Sequence, residues 1–172
     1  MNRSRPRRLL CCGAFLPEIL LLFLLGDTPD LLPTVGGALP SLLIPAAVSV
    51  ALTGIGVVPA MGFGVLCGLL MDFSRGGPYG FSAMILAALC YSIAALVETV
   101  FQKNHLTALL LTVPSIALFF LLHWLFFYIF AGFGGGGYAL LCRYLPMAGY
   151  TLAAAVPIYC CTYGLAKLCR IP

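Results

Sequence analysis

Gly62-Phe63-Gly64-Val65-Leu66-Cys67-Gly68-Leu69-Leu70-Met71-Asp72-Phe73-Ser74-Arg75-Gly76-Gly77-Pro78-Tyr79-Gly80 is an apolar, glycine-studded stretch that closes on a single acid, then turns through glycine and proline into a second apolar run. Gly64, Gly68 and Asp72 are spaced i, i+4, i+8, so they share one stripe of a helix. Small residues on such a stripe let another backbone approach closely, and an acid at the rim of a membrane span needs a partner nearby. The next helix opens just past Pro78-Tyr79-Gly80. Its free N–H groups and positive dipole end suit a carboxylate, so Asp72 is expected to clamp the two helices together, with partner contact or an ion site as the alternatives. The stretch reads as a joint in a polytopic membrane protein.

Composition agrees. Of 172 residues, 62% are apolar and 8% charged, where a soluble domain carries about 25% charged. The mean hydropathy is +1.09. So few polar side chains do not coat a water-facing surface, and six spans of about 20 residues leave only short loops. The expectation is one all-α integral membrane domain, residues 1–172, with no separate soluble catalytic unit. The net charge of +4 comes from Arg3, Arg5, Arg7 and Arg8 at one end and Lys167 and Arg170 at the other. Neither cluster is long or interleaved with aromatics, so nucleic acid is not an expected partner. The basic start before an apolar run has the outline of a signal peptide. It lacks a convincing small-residue cleavage site and is read as an uncleaved first helix.

Turn formers divide the apolar sequence into spans predicted at about 9–25, 41–53, 58–73, 81–100, 106–130 and 147–168. Ser82 is a plausible N-cap region for the fourth, and Pro157 is expected to kink the sixth. With the N-terminus inside, the inner side carries Arg3, Arg5, Arg7, Arg8, Lys103, Lys167 and Arg170, and the outer side only Arg75 and Arg143. Basic residues stay on the cytoplasmic side, so an even number of spans with both termini inside is favoured. Trp124, Phe126, Phe127 and Tyr128, followed by Tyr138, Tyr144 and Tyr150, suit an outer interfacial belt.

Other polar residues in the spans are few. Glu18 lies about 15 Å into the first helix, near mid-bilayer, where a charge costs at least about 2.5 kcal/mol. It is expected to be neutral or turned into the bundle, and Pro17 just before it leaves the Gly13 carbonyl without its helical donor, which a protonated Glu18 could help satisfy; a proton relay is the alternative, for which no second acid lies at similar depth. Glu98 closes the fourth helix close to Lys103, as a rim pair, and stands about a membrane thickness from Asp72, too far for an acid/base dyad. His123, beside the aromatic belt, reads as a hydrogen-bonded packing residue. Gly80-Phe81-Ser82 with His123 lacks a nucleophile elbow and an orienting acid, so no catalytic residue is assigned. The eight cysteines form no CxxC pair and read as small buried hydrophobes; no metal or cofactor is expected.

Gly68-Leu69-Leu70-Met71-Asp72 followed by Pro78-Tyr79-Gly80 resembles the rod shape-determining protein MreD family. That family has a Gly-Leu-Leu-x-Asp…Pro-x-Gly signature at this place, a basic start and five or six spans. The likeness is carried by Pro40 to Tyr91; Ser41 stands where the family usually shows an acid after proline. The resemblance implies a non-enzymatic scaffold of the cell-elongation machinery in the bacterial cytoplasmic membrane. It would serve cell shape and lateral peptidoglycan synthesis, engaging MreC, a single-span protein, and with it MreB filaments and RodA with its transpeptidase partner. An alternative is the substrate-binding S component of an energy-coupling-factor vitamin transporter, also a compact six-helix protein with, in some members, a similar glycine-rich helix ending in Asp. The loop from Leu31 to Pro40 has almost no polar side chains for such a ligand.

Overall fold

The computed structural model describes residues 5–28, 40–76, 80–99, 105–130, 137 and 140–168. Every regular element among them is helical: α1 (Arg5–Asp27), α2 (Leu43–Leu52), α3 (Val57–Arg75), α4 (Phe81–Thr99), α5 (His105–Trp124) and α6 (Leu145–Leu168). Two wide π turns, Leu125–Phe130 and Leu140–Tyr144, finish α5 and lead into α6. Four helical segments are long and apolar enough to cross a membrane: Val57–Ser74, Phe81–Thr99, Leu110–Phe127 and Leu140–Leu168. The described residues therefore form an all-helical bundle whose long apolar helices fit a membrane protein.

The helices differ from the hydropathy pattern mainly at their ends. α1 begins at Arg5, four residues before the apolar run, because backbone pairing extends into the basic segment and a proline in the first turn loses no helical bond. The fifth helix stops being α at Trp124 and continues as a π turn to Phe130. α3 ends on Gly76, whose φ of +61° is the left-handed conformation that terminates helices. The loop at 31–39, Pro78 and Lys103 lie outside the described residues.

α2 sits at the centre. All ten of its residues are buried, and it packs against each of the other five helices. At 1.5 Å per residue it is about 15 Å long, half the thickness of a bilayer core. Around it the core takes Phe15 and Ile19 from α1, Phe63, Cys67 and Met71 from α3, Leu86 and Cys90 from α4, and Ile116 and Phe119 from α5. Leu20, Leu24, Phe73, Met84, Leu110 and Leu121 point outward. In lipid an outward leucine costs nothing, so close packing and paired polar groups decide which face turns in. The most extensive helix pair is α3 with α4.

Candidate helix-joint site

The α3–α4 seam is built from backbone. A Cβ placed on Gly68 would lie 2.2 Å from Ala83 Cα and 2.5 Å from Ala83 N; one on Gly64 would lie 2.8 Å from the Leu86 carbonyl oxygen. Only glycine lets the helices come this close, which explains the i, i+4 spacing in energetic terms. The third residue on the stripe finishes the joint. Asp72 is 5% exposed. Its Oδ2 accepts hydrogen bonds from the Gly80 N–H (2.8 Å) and the Ser82 N–H (3.2 Å), and its Oδ1 lies 3.3 Å from the same Ser82 nitrogen.

Asp72 thus caps α4 from the neighbouring helix. Gly80 occupies the capping position and has no side chain to do so, while its carbonyl accepts the first helical bond from Met84 N–H. Ser82, a candidate cap by sequence, instead supplies one of the capped N–H groups. Gly80 carries a φ of +93°, a conformation L side chains rarely adopt, and this aims its N–H at the carboxylate. The residue just after it, Phe81, is gripped from the other side. Its ring meets Phe126 at 5.0 Å, Phe127 at 5.5 Å and His123 at 6.0 Å, all edge-on. His123 stacks on Phe127 at 4.4 Å, and its Nδ1 lies 3.1 Å from the Tyr144 hydroxyl, joining the end of α5 to the entry of α6. The start of α4 is held between an acid and an aromatic box.

Two further polar contacts tie α1 into the bundle. The Ser74 hydroxyl donates to Asp27, linking the ends of α1 and α3. At mid-helix the Thr162 hydroxyl lies 2.7 Å from Glu18 Oε1 and 2.9 Å from the Ile158 carbonyl, so its one proton is shared between them. Glu18 faces α6 and not the Gly13 carbonyl, because Gly13 and Pro17 are on the exposed side of α1. Glu98 is exposed at the far end of α4, a helix length away from Asp72. The structure therefore brings Gly64, Gly68, Asp72 and Gly80 into one joint, places His123 next to it through Phe81, and leaves Glu18 and Glu98 apart.

Sequence reasoning missed Thr162, Ser74 and Thr151, which accepts a hydrogen bond from the Ser41 N–H at 3.2 Å. A signal was present in two polar residues, Thr151 and Thr162, which share one stripe of α6 with the apolar Ala154 and Ile158 between them. Among the described residues no three His, Cys, Asp or Glu side chains come together. Between α1, α2 and α3 a small cleft of about 60 Å³ is lined by Leu22, Phe23, Asp27, Ser41, Met71 and Ser74 among others. A cleft of this size is roomy enough to admit water. Comparison with protein-family models, curated proteins and solved structures gives no match for this chain.

Proposed function

We propose that the chain is a non-enzymatic, six-span scaffold of the MreD type, with both termini on the cytoplasmic side of a bacterial inner membrane. The observation that carries this reading is the convergence of the signature residues. Gly68, Asp72 and Gly80 are separated in sequence by a turn, yet they make one joint with no substrate-sized space in it. A signature used for catalysis would aim its polar atoms into a cleft; here the acid is spent on the backbone of α4. The joint fixes the angle between α3 and α4 and the surface they present at the outer rim. On this reading that surface receives an MreC-like single-span protein, and the assembly keeps MreB, RodA and its transpeptidase in an arrangement that supports peptidoglycan synthesis. The cleft of about 60 Å³ between α1, α2 and α3 is itself too small to be a vitamin site.

A photo-crosslinking amino acid at Phe73, 73% exposed at the end of α3, tests the proposal in membranes from cells expressing the full chain. The expected product is a covalent adduct with a single-span MreC-like protein, reduced by Gly68→Leu. Tight vitamin binding by the purified protein, with transporter ATPases as its partners and no such adduct, would overturn the scaffold reading.

A further inference from the structure

Three helices meet in a second seam, and its side chains fall in layers. Leu42 and Ala46 of the α2 segment, Leu22 and Leu25 of α1, and Ala154 and Ile158 of α6 pack into one apolar cluster. Each helix continues its stripe by three or four residues at helical spacing: Leu42, Ala46, Ser49; Leu25, Leu22, Glu18; Ala154, Ile158, Thr162. α1 runs opposite to α2 and α6, so all three steps go the same way along the bundle. The layer next to the apolar cluster is therefore Glu18, Ser49 and Thr162. The hydrogen bond between Thr162 and Glu18 fixes two members of that layer directly.

Among the described residues, this layer contains both buried side-chain oxygen atoms that lack a hydrogen-bond partner, Ser49 Oγ and Oε2 of the half-buried Glu18. Ser49 is 1% exposed and Thr162 is fully buried. Buried oxygens without partners are rare in folded proteins and call for an explanation. Packing cannot supply one: an unpaired hydroxyl in an apolar core is destabilising, and an unpaired carboxylate more so. Nor does a countercharge reach Glu18 from the described side chains of α1, α2 and α6. α2 has no charged residue, the one basic residue of α6 is the exposed Lys167 near its end, and Arg5, Arg7 and Arg8 of α1 lie ten or more positions from Glu18.

We infer that Glu18, Ser49 and Thr162 form the oxygen ligands of a monovalent cation, of the sodium class, bound in the seam of α1, α2 and α6. One carboxylate and two hydroxyls are hard donors that suit a hard ion, and a single negative charge is neutralised by a single positive one. A divalent ion would call for further acids that the seam lacks. The inference stands independently of the scaffold reading, because it uses neither the α3–α4 joint nor any partner. Bound there, the ion would join α1 to α2 and α6, an attachment otherwise made by few polar contacts.

The full chain, purified into lipid nanodiscs, is compared in sodium chloride and in choline chloride at equal ionic strength. Thermal unfolding is followed, together with modification of Glu18 by a hydrophobic carbodiimide, read by mass spectrometry. Sodium is expected to raise the midpoint and, at ten times its dissociation constant, to slow Glu18 labelling about tenfold. Glu18→Gln keeps an oxygen for Thr162 and is expected to lose the midpoint response. Ser49→Ala is expected to need about tenfold more sodium for half-protection, the effect of losing about 1.4 kcal/mol of ligation. Identical wild-type behaviour in the two salts would overturn the inference and assign the neutralising role to a proton. A sodium response retained in Glu18→Gln would overturn it as well. If that variant does not fold, the wild-type labelling comparison decides alone.

Discussion

Replacing Gly68 by alanine tests the joint most directly. The added Cβ would lie 2.2 Å from Ala83 Cα, and ordinary contact begins at 3.4 Å, so α4 must retreat by about 1.2 Å. The neighbour is backbone and has no rotamer with which to give way. A gap of 0.5–1 Å already forfeits a quarter to a half of the dispersion energy of facing atoms, and this is the most extensive helix pair in the bundle. The same retreat lengthens the Ser82–Asp72 hydrogen bonds, now 3.2 and 3.3 Å, beyond useful range. Overpacking costs about 1–3 kcal/mol and a lost cap about 0.5–2 kcal/mol, so Gly68→Ala should destabilise by about 2–4 kcal/mol. Gly64→Ala meets the Leu86 carbonyl oxygen at 2.8 Å and needs about half that retreat, so its cost should be near half. Reversible unfolding in mixed micelles, followed by circular dichroism, gives both values. A Gly68→Ala protein within about 0.5 kcal/mol of wild type, or one more stable than Gly64→Ala, would refute the close-packed joint.

Other substitutions separate the parts of the site. Asp72→Ala should cost about 1–2 kcal/mol and Asp72→Asn less than half of that, since an amide oxygen still accepts from Gly80 and Ser82; equal losses in the same unfolding assay would argue against a hydrogen-bonding role. Gly80→Ala meets no atom within 4 Å, so any loss comes from its φ of +93°, and about 1–2 kcal/mol is expected by the same measurement. A double-mutant cycle of His123→Phe and Tyr144→Phe should yield a coupling of about 0.6 kcal/mol, the usual size of a hydrogen bond between membrane helices; additive effects would show that the two rings merely pack.

The joint was legible because its information is local. Gly64, Gly68 and Asp72 fall on one stripe, and the turn that returns α4 to it lies eight residues past the acid at Gly80. The other contacts were hidden by distance or by the solvent. Thr162 and Glu18 are 144 positions apart, and no spacing rule relates them. Hydropathy cannot tell core from lipid: Val48 is fully buried while Val58 is 82% exposed, although both are valines in apolar helices. For the same reason the sequence marks α2 as short but not as central. At Leu125–Phe130 hydropathy alone predicts more α-helix where the structure has a π turn, because an apolar, aromatic run satisfies both.

The buried α2 also bears on how the molecule is made. Ten residues are too few to partition into a bilayer as a stable span, and no face of this helix is left for lipid. Its lodging exists only once the longer helices on either side of it in the chain, and those that follow, are in place. Membrane insertion of this segment must therefore be a late, cooperative event driven by neighbours synthesised after it. A chain truncated soon after Thr53 and released from the ribosome would leave that segment accessible from the aqueous side.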